Sequence, residues 1–171
     1  MKCTTTRFGE IDIKESEVIV MKGPILGFQR SKQFVLLLPK ENTPLWWLQS
    51  LDDPALAFVV INPCVVKPGY NPAITAADLD FIGIKNQEEI ALLSIVTVRS
   101  NPFRVTANLR APLVINASNR MAFQVVLDDP THSIQYEIIE QSKGDSKNEH
   151  ARQDRNSRTI SPVNVGNADL F

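Results

Sequence analysis

The stretch LWWLQSLDDPALAFVVI (residues 45–61) decides the fold class, because a turn signal stands directly before a short apolar run. Asp52 and Asp53 precede Pro54, and an aspartate before proline favours a turn because its side chain accepts hydrogen bonds from nearby backbone N–H groups. Residues 56–61 are apolar and partly β-branched, and the run is short enough to suit a strand better than a helix. The stretch therefore predicts a turn that leads into a strand.

The rest of the chain repeats this pattern of short apolar runs between breakers. Eleven prolines and seven glycines punctuate the runs, and Ile134, Tyr136 and Ile138 alternate with polar residues at the period of a strand. Helix signals are few, and the clearest is a capping box formed by Thr75 and Asp78. We therefore predict a mainly β fold: an antiparallel sandwich, roll or barrel with a few short helices. The other apolar runs lie at residues 18–21, 34–38, 95–98 and 123–127.

The composition changes near residue 141 of the 171. Residues 142–158 contain only Gly144 and Ala151 as non-polar residues, which is too little apolar area to offset the entropy of ordering the segment. We predict one β domain over residues 1–141 and a disordered polar tail over residues 142–171.

Charge and composition exclude several classes of protein. The formal net charge is −1, with 18 basic and 19 acidic residues, whereas a general nucleic-acid binder needs a basic surplus. No apolar run approaches the ~20 residues of a membrane span, and MKCTTTRFGE lacks the apolar stretch of a signal peptide. Two cysteines and two histidines do not supply the four clustered ligands of a structural zinc site. We expect a cytoplasmic protein without a metal, a cofactor or a membrane partner.

Paired carboxylates are the only candidates for catalysis, since two acids can do acid–base work if the fold brings them together. Turn formation is the favoured interpretation, however, because Asp-Asp-Pro occurs twice, at Asp52 and at Asp128. His132 follows such a turn and His150 lies in the tail, so we expect both to be exposed to solvent. No active site is visible, and a binding protein is favoured over an enzyme.

Two apolar features are candidates for a binding surface. Trp46 and Trp47 are adjacent, so in a strand they face opposite ways. An outward tryptophan is a binding anchor, whereas loops that cover both would make them structural, and the sequence leaves both possibilities open. The loop GPILGF (residues 23–28) is apolar, so it is either buried or a contact surface.

Several stretches match one known family in order and spacing over residues 3–140. They are TRFGE (6–10), GPILGF (23–28), FVLLL (34–38), LWWLQSLDDPALAF (45–58), TANLRAPLVIN (106–116), NR (119–120) and AFQVVL (122–127). The chain resembles the flagellar assembly factor FliW family, and the combination of WLQSxDDP with NLxAPxxIN is specific for it. Asn62 stands where members often carry aspartate, and the tail exceeds the usual family length.

The resemblance implies a compact, largely antiparallel β-barrel or roll and a non-enzymatic role as a flagellin chaperone. It also implies two partners: flagellin, and the translational regulator CsrA. Flagellin occupies the protein until it is exported, and the released protein then captures CsrA and relieves repression of flagellin translation. A β-barrel that binds nucleic acid directly is the alternative, disfavoured because the body is slightly acidic and aromatic residues are only 7% of the chain.

Candidate contact residues follow from the chemistry of these partners. CsrA binds RNA through basic surfaces, so acidic side chains are candidates for its site. Flagellin termini are amphipathic helices, which suit an apolar groove, and Leu26, Phe28, and whichever of Trp46 and Trp47 lies outward are candidates for it. We expect a monomer when neither partner is bound. The acidic candidates are Asp52, Asp53, Asp78, Asp80, Glu88, Glu89, Asp128 and Asp129.

Overall fold

The computed structural model describes residues 1–38 and 43–140, and residues 139 and 140 by their backbone alone. Within these residues the chain forms two sheets and two short helices, α1 (Pro63–Val66) and α2 (Ala76–Phe81), so the predicted mainly β fold is confirmed. The predicted tail, residues 142–171, lies outside the described residues. The strands are β1 (Lys2–Thr5), β2 (Gly9–Asp12), β3 (Ile19–Met21), β4 (Gln33–Leu37), β5 (Leu45–Ser50), β6 (Ala57–Ile61), β7 (Ile90–Ser100), β8 (Phe103–Ala107), β9 (Leu113–Asn116), β10 (Met121–Gln124) and β11 (Tyr136–Glu140).

The main sheet has nine strands in the order β11-β8-β7-β6-β5-β4-β3-β10-β9, and β9 pairs a second time with β7. That second pairing turns the sheet back on itself, while β8 and β11 continue beyond β7. The sheet is therefore a roll and not a closed barrel. All pairings in it are antiparallel except the one between β10 and β3. Strands β1 and β2 form a separate hairpin.

The inner face of the roll holds the main apolar cluster. Phe34, Leu48 and Val60 come from three neighbouring strands, and each is at most 1% exposed. Burying a side chain of this size contributes about 1.5–3 kcal/mol. Leu113 and Ile115 complete the cluster from β9 on the far side of the roll. Alternating apolar residues on these strands thus account for the core.

Two smaller clusters lie on the outer face. Ile61 and Leu109 pack with Tyr70, which lies in the segment after α1. The Tyr70 hydroxyl donates a hydrogen bond to the Leu109 carbonyl at 2.7 Å, and burial raises the pKa of Tyr70 to about 12. Ile82, just after α2, packs with Phe123 of β10 in the other cluster. The segments that contain the short helices therefore pack against the outer face of the sheet.

Both helices begin at side-chain caps that are visible in the sequence. Thr75 and Asp78 form the predicted capping box: the Asp78 N–H donates to Thr75 Oγ1 at 3.1 Å and the Thr75 N–H donates to Asp78 Oδ2 at 3.0 Å. Asn62 caps α1, because its Oδ1 accepts from the Cys64 N–H at 2.9 Å. Asparagine caps a helix as well as aspartate does. Asn62 can therefore begin α1 in place of the aspartate that family members often carry at this position.

The expectation that His132 is exposed is wrong. Its side chain is buried, and its ring packs edge-on against Tyr70 with 5.1 Å between ring centroids. The turn that contains it folds back over the outer cluster around Leu109, where the Leu109 N–H donates to the Ser133 carbonyl at 2.9 Å. Because this contact joins distant parts of the chain, no pattern of residues near His132 in the sequence indicates that its side chain is buried. His150 lies outside the described residues.

Asn116 connects the end of β9 to the segment after α2. Its side chain is 1% exposed, its Nδ2 donates to the Ile82 carbonyl at 3.0 Å, and its Oδ1 accepts from the Ser118 N–H at 2.9 Å. Buried polar groups are costly when they lose their partners, so this amide holds together two elements that lie far apart in sequence.

We expect Asn116→Ala to lower the free energy of unfolding by about 1–3 kcal/mol, because the Ile82 carbonyl loses one of its two side-chain donors and the N–H groups of Ser118 and Asn119 lose their acceptor. Urea denaturation monitored by circular dichroism measures the change. Asn71→Ala is the matched control, since Asn71 is exposed, and it should stay within about 0.5 kcal/mol of the wild type. Equal stabilities for the two variants would contradict this role of Asn116.

Candidate functional site

The apolar loop at residues 23–28 is partly buried and partly exposed. Ile25 is 1% exposed, whereas Leu26 is 61% and Phe28 39% exposed. The Phe28 N–H donates to the Ile25 carbonyl at 2.8 Å, and Gly27 between them has a φ of 87°, which glycine adopts without strain. The tight turn thus anchors Ile25 in the core and holds the next apolar side chains outward.

These side chains border a depression of about 260 Å³, which we call the apolar groove. Phe58 of β6 lies beneath Phe28, edge-on, with 4.8 Å between ring centroids. Ile134, which is 58% exposed, also lines the groove. We define the groove by its apolar residues Leu26, Phe28, Phe58, Ile95 and Ile134, with Thr97, Arg99, Thr106, Asn108, Gln124 and Gln135 among its polar residues.

Gln124 fixes the loop against the sheet. Its Oε1 accepts from the Leu26 N–H at 2.9 Å, and its Nε2 donates to the Ala111 carbonyl at 3.0 Å. The loop is therefore held at two points, through Gln124 and through buried Ile25. A groove with a wall held in this way presents its apolar side chains in one arrangement, which favours binding.

Trp46 and Trp47 lie on opposite faces of β5, as predicted, and neither lines the apolar groove. Trp46 is half-buried and packs against the main cluster. Trp47 is half-buried on the other face, with the Arg7 guanidinium 4.3 Å from its ring centroid and Phe8 edge-on at 5.7 Å. One tryptophan thus joins the core, and the turn of the β1–β2 hairpin covers the other.

Asp52 and Asp53 form the turn between β5 and β6. Asp52 Oδ2 accepts from the backbone N–H groups of Lys32 and Gln33, at 2.6 and 2.7 Å. Asp53 Oδ1 accepts from the Ala55 N–H at 2.9 Å. The turn interpretation of Asp-Asp-Pro is confirmed here, and the Asp52 carboxylate also joins this turn to β4.

Three other acidic candidates line one depression of about 610 Å³, between the start of α2 and the segment after β10. We call it the acidic groove, and its acids are Asp78, Asp128 and Asp129. The Thr131 N–H donates to Asp129 Oδ1 at 2.8 Å, and this hydrogen bond lowers the pKa of the Asp129 carboxyl. Asp80 is exposed on α2 and is not among the lining residues.

Glu88 and Glu89 lie in a 3₁₀ turn before β7, apart from the acidic groove. Glu89 Oε2 accepts from the backbone N–H of Lys85 at 2.7 Å and of Asn86 at 3.2 Å, and these bonds lower the pKa of its carboxyl. Its carboxylate therefore closes this turn. Glu88 is exposed beside it.

Neither a cluster of metal ligands nor a membrane-spanning helix occurs among the described residues. In that part of the chain no group of three or more His, Cys, Asp or Glu side chains is placed to hold a metal ion. None of the helices described there is long and apolar enough to cross a membrane.

The sequence profile described as FliW protein matches residues 2–138. The chain belongs to the FliW family. It is 50% identical over 139 residues to the flagellar assembly factor FliW of Syntrophus aciditrophicus (strain SB), a match that covers 81% of this chain and 88% of that protein. It is 37% identical over 142 residues to the flagellar assembly factor FliW of Geobacter sulfurreducens, with 83% of this chain and 89% of that protein covered.

The FliW fold is confirmed by a solved structure. The crystal structure of a flagellar assembly factor FliW superposes with a TM-score of 0.75 at 35% sequence identity. The match covers 82% of this chain and 99% of the solved chain. This agrees with the resemblance in the sequence, and the family is named for a role in flagellar assembly, not for a reaction.

We expect Asp52→Ala to lower the free energy of unfolding by about 1 kcal/mol, because two backbone N–H groups lose a charged acceptor. Asp80→Ala is the matched control, since Asp80 is exposed, and it should change stability by less than about 0.5 kcal/mol. Thermal or urea unfolding of both variants measures the difference. If Asp52→Ala were as stable as the wild type, the proposed contribution of Asp52 to the stability of this turn would be wrong.

Proposed function

We propose that this FliW protein binds flagellin and CsrA in the cytoplasm and, without catalysing a reaction, relieves CsrA repression of flagellin translation by exchanging these partners. The observation that carries the flagellin assignment is the apolar groove. Family membership supports the role in flagellar assembly, and the partners and contact residues are our proposal.

The apolar groove has the chemistry that an amphipathic helix needs. Leu26, Phe28 and Ile134 are exposed around one depression, and exposed apolar residues gathered in this way mark a binding site. Arg99 and Gln124 supply polar groups to the same groove. A helix could place its apolar face on the groove and its polar face toward solvent. Trp46 and Trp47 belong to this proposal only as supports, since other residues cover them.

The acidic groove is the proposed site for CsrA. A basic RNA-binding surface gains encounter rate and specificity from facing carboxylates. Asp128 and Asp129 are exposed, and Asp78 lies in the same groove. Asp52 and Asp53 fit less well, because they form the β5–β6 turn and do not line this groove. Asp80 lies on the exposed face of α2, where it adds negative charge.

We expect Phe28→Ser to weaken flagellin binding about 30-fold, as the loss of a hot-spot residue does. Isothermal titration of the purified protein with the organism's own flagellin measures it. Val98→Ser is the matched control, because Val98 is exposed but does not line the apolar groove, and its affinity should equal that of the wild type. Unaltered binding by Phe28→Ser would exclude the groove as the flagellin site.

We expect Asp128→Lys to slow the association of CsrA about threefold in low salt, with a smaller effect at high ionic strength. Stopped-flow or surface plasmon resonance measures the rate constant. Glu15→Lys makes the same charge change outside the acidic groove, and it should have a smaller effect. An equal slowing by both variants would show that net charge, and not this groove, attracts the partner.

A further inference from the structure

The apolar groove faces solvent in the described structure, and the chain outside that structure contains a segment that could fill it. Residues 159–171, TISPVNVGNADLF, follow the polar stretch 142–158 and bring back large apolar side chains. Pro162 and Gly166 disfavour a helix, so this segment suits extended binding. Its apolar residues are Ile160, Val163, Val165, Leu170 and Phe171.

The described chain ends close to the groove. Glu140 pairs with Arg104 of β8, and Arg104 pairs with Arg99 of β7, which lines the groove. Neighbouring strands are about 4.8 Å apart, so the backbone of Glu140 lies about 10 Å from that of Arg99. Eighteen residues, 141–158, separate Glu140 from the segment, and the root-mean-square length of a random chain of that number of residues, about 20–25 Å, exceeds this distance.

Charge also favours this occupant. Arg99 lines the groove with no ion pair among the described residues, whereas Arg104 beside it pairs with Glu137. Asp169 stands directly before Leu170 and Phe171. An extended segment with its apolar end on the groove would bring this carboxylate to the region of the Arg99 guanidinium.

We propose that residues 159–171 dock into the apolar groove of their own chain and compete there with the external partner. A tether of this length gives an effective concentration in the millimolar range. A segment with only weak affinity for the groove is therefore bound for much of the time. Docking follows from the groove and the tether alone, whereas the competition with flagellin rests on the proposed function.

Hydrogen–deuterium exchange of the full chain tests the docking. The variant Val165→Ser/Leu170→Ser/Phe171→Ser should exchange at least threefold faster than the wild type at the backbone amides of residues 23–28 and 133–135. The control Asn148→Ser/Gln153→Ser/Asn156→Ser changes three polar residues of the connection and should match the wild type. All six positions lie outside the described domain, and equal melting temperatures verify that the domain is unchanged.

Two outcomes of the exchange experiment would overturn the docking. One is equal exchange of the wild type and the apolar-to-serine variant in both segments. The other is protection that rises with protein concentration, because a tethered segment acts independently of concentration and a second copy does not.

Flagellin titration tests the competition separately. With an effective concentration of about 1 mM and a segment affinity of about 0.1 mM, the apolar-to-serine variant should bind flagellin about tenfold more tightly than the wild type. Faster exchange without a gain in affinity would support docking and overturn the competition. Failure of Phe28→Ser to weaken flagellin binding counts against the proposed function alone, since the exchange experiment contains no flagellin.

Discussion

Strand β7 is hydrogen-bonded to three other strands along its eleven residues, and the roll depends on this sharing. Residues 90–93 pair with β9, residues 94–96 with β6, and residues 96–100 with β8. Ser94, which is fully buried, pairs with β6 directly after the pairing with β9 ends. Because β7 pairs with both β6 and β9, it joins the two ends of the curled part of the sheet and encloses the inner cluster. Residues of β6, β7 and β8 also line the apolar groove.

Most of the polar residues in the family motifs have structural tasks in this chain. Gln49 is 0% exposed, and its Nε2 donates to the carbonyls of Ser50 and Leu56 at 2.9 and 3.0 Å across the β5–β6 turn. Asn108 Oδ1 accepts from the Arg110 and Ala111 N–H groups, as expected for an asparagine in a turn. These amides stabilise turns, whereas the binding surfaces that we propose are formed by exposed apolar side chains and by the carboxylates of the acidic groove.

The structural features that could be predicted depend on residues that lie close together in the sequence. The Thr75–Asp78 cap, the turn at Asp52, and the opposite faces of Trp46 and Trp47 depend on residues at most three positions apart. Leu26 and Phe28 were predicted as surface candidates because an apolar Gly/Pro loop is unusual. Ile134 was missed as a groove residue, since its alternation with Tyr136 indicated only a strand. The burial of His132 could not be predicted because its ring packs against Tyr70, which lies far away in the sequence.

The amino-acid sequence by itself determined the fold class, the turns, the caps and the family, because each depends on local chemistry or on motifs in a set order. Only the tertiary structure decided which candidates share a surface. It brought Leu26 and Phe28 to Phe58 and Ile134, it grouped Asp78 with Asp128 and Asp129, and it placed the Asp52 carboxylate against the backbone of Lys32 and Gln33. The physical reason is that a groove is made by strand pairing between distant segments, and the register of that pairing is set by the packing of the whole core.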